Sequence, residues 1–479
     1  MPVFWIIKLT LQRSIRSRVS LIIFALLLMF LFILPLTILN DGSIKGKVQI
    51  NLMWTMGGSL LLLSFFSLFN TILNIRADIA EKQIYTLEAT PLARWQNIVG
   101  KLSAVFIMNL ILVTFTGLVC YGFVLNDYYN LKAANDKAEQ VLIKNPKDEA
   151  SLLIKRDYHV LSNEVLASRL KIEDYYDIEE MTENAIKEYK QKDGRLPKSE
   201  EETRRDLVEF YSKLSFFSAQ PNTPARPIVF KTPPRPNADT LFYTFSYYLY
   251  SSNKMDDRIS GRWEVFAKYL DGTDGLISTH PFEHSGGLRR TIRFSTEKLD
   301  NVKFLYFIFI NKSEQSVYSG INEKFYLLVP YSNFEANLVK ALTLILMKLT
   351  LISFMGAMAA SFLSFNISVF ICLSFIFFCY LSEIMLKFLR VSKSYTPSVV
   401  SGPTNYFVDI WNQFSVYLVN FFPDFGNISG KLLVEGEYID SLVLGEEFLF
   451  NLILRGGFFL ISAIVIFHYN EMGKEVADD

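Results

Sequence analysis

The sequence predicts an α-helical polytopic membrane protein of six spans that carries an α+β extracytoplasmic insert, helical in its first part and β-sandwich-like in its second. Three observations predict it. Six runs of about 20 apolar residues are each long enough to cross a hydrocarbon core as a helix. A mostly polar stretch, residues 126–333, separates the third run from the fourth. That stretch opens rich in Lys, Glu, Asp and Leu and closes on short alternating aromatic runs. Composition agrees, since 51% of the 479 residues are hydrophobic and 15% aromatic, while 48 basic and 48 acidic residues cancel. Zero net charge without a concentrated basic face excludes a nucleic-acid partner, which has to neutralise phosphates.

The chain begins with VFWIIKLTLQRSIRSR, residues 3–18, where Phe4, Ile7, Leu11 and Ile15 share one helical face and Lys8, Arg13, Arg16 and Arg18 lie elsewhere. Such a helix rests along the inner membrane surface, so residues 1–18 form an amphipathic interfacial segment in contact with the lipid bilayer. Its basic residues, unaccompanied by acidic ones, place the N-terminus in the cytoplasm. No small-residue cleavage site follows, and a second span comes soon after, which argues against a signal peptide. Spans one to three, within residues 19–125, run Val19–Leu39, Leu52–Leu73 and Leu102–Leu125.

Between the second and third spans, residues 76–101 read RADIAEKQIYTLEATPLARWQNIVGK. Residues 76–90 suit a short helix, and Thr90 followed by Pro91 suits an N-cap with proline at the first helical position. The expectation is two helices meeting at a cytoplasmic elbow.

The insert follows. Residues 126–220 predict amphipathic helices, with starts at Asn145–Pro146 and at Ser199, which has Glu202 three residues on. The phrase NPKDEA resembles the opening of a tetratricopeptide repeat, yet no second copy falls at the expected period. Residues 221–333 begin with the proline-rich PNTPARPIVFKTPPRP, which reads as an extended linker. The runs GRWEVFAKYL, RRTIRFST and VKFLYFIFINK, punctuated by Asp271–Gly272 and Gly286–Gly287, then predict a small antiparallel sandwich. Exposed aromatics there, Trp263 or Tyr269, are candidates to hold a glycan or lipid headgroup, though aromatics at this spacing also serve as a sheet's own core. HPFEH, with His280 and His284, reads as a loop because of Pro281 and the nearby glycines, so no metal site is expected.

Spans four and five, within 334–388, run Leu338–Leu363 and Ile367–Leu386. An extracytoplasmic connection, 389–447, leads to the sixth span, Phe448–Phe467, and a cytoplasmic tail within 448–479. Lys387, Arg390 and Lys393 lie on the outer side in this arrangement, against the positive-inside tendency; the N-terminal flank outweighs them. Charge inside hydrocarbon is costly, so Lys348, Glu383 and Arg455 are the intramembrane polar candidates, and Glu383 and Arg455 share one level. The small residues of GAMAAS, Gly356–Ser361, permit close approach of a neighbouring helix. Cys120, Cys372 and Cys379 all fall in apolar runs, which argues against a disulfide framework or a thiolate metal site.

No GxxxxGK(S/T) phosphate loop occurs, and no serine, cysteine or carboxylate is accompanied by a plausible basic partner, so neither catalysis nor a cofactor is expected. HSGGLRR superficially echoes the LSGGQ signature of ABC ATPases but is better read as a glycine turn.

The 76–101 stretch, an acidic and a basic residue followed by TLEATPLARWQNIVGK, resembles the permease subunits of the type-2 ABC transporter family, matched at Glu81, Lys82, Thr86, Leu87, Pro91, Arg94, Gly100 and Lys101. FPDFGNISGKLLVEG before the last span and FHYNEMGKE after it are similar to the family's tail. The resemblance covers residues 1–125 and 334–479; the large insert departs from the simplest members. It implies a permease in the cell (inner) membrane that exports a substrate, pairs with a second permease subunit as a homo- or heterodimer, and couples to a separate ABC ATPase. The implied coupling residues are Asp78, Glu81, Lys82, Glu88, Pro91, Arg94 and Lys101. The competing expectation is a membrane-anchored sensor or adhesion protein whose outer β-rich domain binds a glycan or lipid.

Overall fold

In the computed structural model the chain is mostly helical, with a separate region of β-sheet. The structure describes residues 2–37, 43–80, 93–174, 199–214, 217–231, 242–252, 258–296, 301–319, 325–395 and 429–469, with single residues or short pieces within 182–189 and 414–425 and at 299. Two compact units result, one comprising Met1–Ser168 with Asn333–Asp479 and the other Arg169–Ser332.

The first unit is a helix bundle. Its elements are α1 (Pro2–Arg16), α2 (Arg18–Thr37), α3 (Ile44–Ala80), α4 (Arg94–Lys144), α5 (Glu149–Val160), α7 (Phe334–Phe362), α8 (Phe365–Tyr395), α9 (Ser429–Val434), α10 (Ser441–Glu446) and α11 (Gly457–Tyr469), where α6 belongs to the second unit. Among the described residues five helices are long and apolar enough to cross a membrane, and six if α1 and α2, bent by 65° at their junction, count as one span. Large apolar side chains face outward along them, among them Phe370 at 71% exposure and Ile461 at 63%, as lipid-facing surfaces require.

Several boundaries differ from the sequence reading. No separate helix starts at Arg76, because α3 continues unbroken through it to Ala80. The third span belongs to a helix of 51 residues, about 75 Å at 1.5 Å per residue, so its charged C-terminal half outruns any bilayer core. Its N-cap is Ala93 in extended backbone, three residues beyond Thr90; Thr90 and Pro91 themselves lie outside the described residues. Asn145 closes α4, and it is Asp148 that caps α5, accepting from the Ser151 N–H at 3.0 Å. A π-helical turn, Leu161–Val165, continues α5, and a longer one, Glu447–Gly456, joins α10 to α11.

Small side chains set the helix spacing. A Cβ on Gly117 of α4 would collide with the Leu342 side chain of α7, whereas one on Gly356 would meet Leu68 and Thr71 across the α3–α7 seam at ordinary van der Waals distance, 3.5 and 3.6 Å. There Ser67 and Ser353 hydroxyls bond at 2.6 Å, and Asn109 of α4 donates to Ser67 Oγ at 2.9 Å. Interhelical bonds of this kind satisfy polar groups where water is absent.

The second unit holds α6 (Glu200–Leu214), capped by Ser199 Oγ, which accepts from the Glu202 N–H at 3.3 Å as read from sequence. Its strands are β2 (Ser218–Ala219), β3 (Ile228–Lys231), β4 (Phe242–Tyr248), β5 (Tyr250–Ser251), β6 (Arg258–Tyr269), β7 (Asp274–Ser285), β8 (Arg289–Ser295), β9 (Val302–Asn311), β10 (Val317–Tyr318) and β11 (Tyr326–Asn333), preceded by β1 (Ala167–Glu173). Two four-stranded sheets run in the orders β1-β11-β4-β8 and β3-β9-β6-β7, beside a small β2-β10-β5 sheet. Aromatics join the two large sheets: Phe245 of β4 stacks on Phe307 of β9 at 4.1 Å and meets Trp263 of β6 at 5.0 Å. The Asp271–Gly272 turn closes the β6–β7 hairpin, with Gly272 at φ +87° and the Asp271 carboxylate accepting from the Thr273 N–H and hydroxyl. Those two bonds hold the Asp271 pKa below its usual range.

Three expectations for the insert are corrected. The stretch read as helical contains the strand β1; IVFK in the proline-rich linker is the strand β3; and HPFEH is part of β7 rather than a loop. Pro281 fits there because β7 is an edge strand, where a missing N–H costs no ladder bond.

Candidate functional site

The third helix presents Asn70, Asn74 and Asp78 at intervals of four, and α4 presents Asn97 and Lys101 at the same interval, so each set lies along one helical face. Where the two faces meet, the Asp78 carboxylate accepts from Lys101 Nζ, and Lys101 also donates to the Asn74 carbonyl at 2.5 Å. From α1, Arg13 Nη1 donates to the other Asp78 oxygen at 3.3 Å. Asn97 Nδ2 reaches Asp78 at 3.5 Å, and Asn74 Nδ2 donates to Ser14 Oγ of α1 at 3.0 Å. Asp78 and Lys101 are only 5% and 6% exposed, so the charges compensate each other out of water.

This cluster brackets the segment 81–92. Asp78 stands just before it and Arg94 just after, where Arg94 Nη1 donates to the carbonyl of His468 at 2.7 Å near the C-terminal end of α11. A cation on the last carbonyls of a helix satisfies groups that lack intrahelical donors. Of the seven residues read as coupling residues, the structure thus brings together Asp78 and Lys101, sets Arg94 against α11, and leaves Glu81, Lys82, Glu88 and Pro91 outside the described residues. Arg13, Ser14, Asn74 and Asn97 complete the cluster without having been singled out. The four-residue spacing of Asn70, Asn74 and Asp78 beside an apolar run is the signal that identifies one of them, Asn74.

Of the intramembrane candidates, Lys348 and Arg455 lie among the described side chains. Lys348 is 3% exposed on α7, and its ammonium donates to the Phe425 carbonyl at 3.4 Å and lies 5.6 Å from that residue's ring. Arg455 donates to Asn451, which in turn donates to Glu447, a relay along one helical face. The side chain of Glu383 lies outside the described residues. Arg455 also borders an apolar cleft of about 210 Å³ walled by Phe375, Phe421, Phe458 and Phe459.

In the sheet unit Trp263 is fully buried between Phe217, Phe245, Phe309 and Phe325, which corrects its reading as an exposed ligand platform: the alternation of β6 turns it into the core. Tyr269 is half-buried at the end of the same strand, packed against that core. His284 stacks on Phe282 at 4.6 Å and pairs with the Tyr247 hydroxyl at 3.2 Å. Its Nδ1 lies 2.9 Å from the Ser285 carbonyl, so Nδ1 carries the proton and Nε2 accepts from Tyr247. Burial lowers the pKa of His284, and likewise that of His280. Among the described residues no group of three or more His, Cys, Asp or Glu is placed to hold a metal ion.

No protein-family model matches the chain, and no curated protein and no solved structure matches it.

Proposed function

We propose that the chain is the permease subunit of an ABC-type exporter, driven by a separate ATPase subunit through the segment around residues 81–92. One observation carries the reading: both ends of that segment are tied by buried or charge-assisted bonds to four helices. Asp78 belongs to α3, Lys101 to α4 and Arg13 to α1, while Arg94 holds the end of α11. A push on the segment therefore reaches several spans at once, as a coupling element must transmit force rather than absorb it. Asp78 and Lys101, being buried, act as the anchor of the elbow; Glu81, Lys82 and Glu88 supply its contact with the partner.

In this reading α1 with α2 forms the first of six spans, both termini and the elbow are cytoplasmic, and the insert of residues 126–333 faces outward from the cell (inner) membrane. A second permease subunit completes the substrate path. The sensor or adhesion alternative places the working surface on the sheet unit, and burial of Trp263 removes one of its two aromatic candidates.

Co-purification of the full chain from its native membranes in mild detergent tests the proposal. The expected result is recovery of an ATP-binding subunit, lost when Glu81, Lys82 and Arg94 are replaced together by alanine. Recovery of the chain alone, or unchanged association and transport in the triple variant, overturns it.

A further inference from the structure

A cleft of about 570 Å³ lies between α1 and α3 at the 65° bend where α1 hands over to α2. Its polar lining includes Arg13 and Arg16 from α1, Ser17 at the bend, and Asn70 and Asn74 from α3, with Leu9 and Leu73 as apolar wall. Among the described residues no acidic side chain lines it. Asn70 is only 3% exposed, and its amide Nδ2 has no hydrogen-bond partner. The orientation of that amide is fixed from the other side, because Asn70 Oδ1 accepts from Asn74 Nδ2 at 2.8 Å. A buried donor left without an acceptor is costly, and here it borders a basic cleft.

The second line of argument concerns where the cleft opens. Helix α1 buries Ile6, Thr10 and Ser14 against the bundle and turns Phe4, Trp5, Leu9 and Ile15 outward, at 56–66% exposure. Lys8 and Arg16 are exposed among these apolar side chains, and no acidic residue occurs before Val19. A helix of this character lies at the boundary between headgroups and acyl chains. The bend beside it therefore sits at headgroup depth, where phosphodiesters are the abundant anions and lipid tails can follow an apolar wall.

We propose that this cleft binds the phosphodiester headgroup of an anionic phospholipid, with Arg13, Arg16 and the Asn70 amide as donors. Guanidinium groups recognise phosphate oxygens through directed, charge-assisted bonds. The described lining is basic and amide-bearing, which favours an anionic headgroup over a zwitterionic one, whose ammonium would face guanidinium groups. Because Arg13 also bonds Asp78, an occupied cleft bears on the same cluster that anchors the 81–92 segment. The site requires only that the chain be membrane-embedded, so its failure and the failure of the transport reading are separate outcomes.

Native mass spectrometry of the detergent-purified full chain, given phosphatidylglycerol or phosphatidylcholine, tests the site. Wild type is expected to retain phosphatidylglycerol in preference to phosphatidylcholine. Arg16→Gln and Asn70→Ala are each expected to weaken retention by about fivefold or more, the equivalent of losing one bond of modest net strength. Arg18→Gln, outside the cleft lining, is expected to leave it unchanged. Arg16 is exposed, so its substitution does not threaten the fold and carries the test even if Asn70→Ala lowers stability. Equal retention of the two lipids, or undiminished retention in Arg16→Gln, overturns the proposal. Displacement of the lipid by inorganic phosphate alone overturns the lipid source by identifying a soluble-anion site.

Discussion

Asp78 and Lys101 illustrate how a charged pair behaves when little water reaches it. Each side chain is less than a tenth exposed, and Arg13 and Asn97 occupy the remaining carboxylate positions. Removing one partner leaves the other buried and uncompensated, a loss of about 3–5 kcal/mol for such pairs. Asp78→Ala is therefore expected to lower the melting temperature of the purified protein markedly, while Asp78→Ala with Lys101→Met recovers much of the loss by removing both charges. Thermal unfolding in detergent reads both effects; additive losses in the double variant contradict the pairing. Asp78, Arg94 and Lys101 were legible as residues of interest through the family resemblance of the 76–101 stretch, a charged interruption between apolar runs. Their partner Arg13 was not, since it lies 65 residues away on a helix whose docking against the bundle no local pattern reports.

Elements show the same division between local and distant causes. The apolar runs announced α2, α3, α7 and α8 because hydrocarbon length alone dictates a spanning helix, and Asp271–Gly272 announced the β6–β7 hairpin because a left-handed turn residue is a local requirement. β1 and β3 escaped notice for the opposite reason: a strand of four to seven residues is defined by its neighbours, here β11 and β9. Gly436 belongs with these distant effects. It adopts φ +66°, and a Cβ there would collide with the carbonyl oxygen of Glu164 in the π-helical turn after α5. Nearby, Asn337 of α7 donates to the Glu437 carbonyl and accepts from the Ile439 N–H, both at 2.8 Å, so the chain after α9 has no room to retreat. Gly436→Ala is expected to destabilise by at least about 2 kcal/mol, combining left-handed strain with the collision. Gly272→Ala, at positive φ in open space, is expected to cost about 1 kcal/mol from strain alone. Comparing the two melting temperatures separates conformational strain from close approach; equal losses contradict the packing role of Gly436.

At the scale of the whole molecule, the sidedness of the chain decides whether the 81–92 segment can meet a cytoplasmic ATPase at all. The native cysteines supply a quiet background for measuring it, because Cys120, Cys372 and Cys379 are buried at 3%, 0% and 0% exposure. Three single cysteines then report on three places. Leu270 is 69% exposed in the β6–β7 turn of the insert, Ala93 is exposed at the start of α4, and Lys8 is exposed on α1. A membrane-impermeant maleimide applied to intact cells is expected to label Leu270→Cys and to spare Ala93→Cys until the membrane is permeabilised, because α4 separates them. Lys8→Cys decides between five spans and six. If α2 crosses, Lys8 and Ala93 are separated by two spans and share a side, so Lys8→Cys is protected as well. If the bent α1–α2 pair lies along the surface instead, only α3 separates them and Lys8→Cys reacts from outside. Labelling of Ala93→Cys in intact cells puts the elbow outside and ends the coupling mechanism, whichever way α1 is disposed.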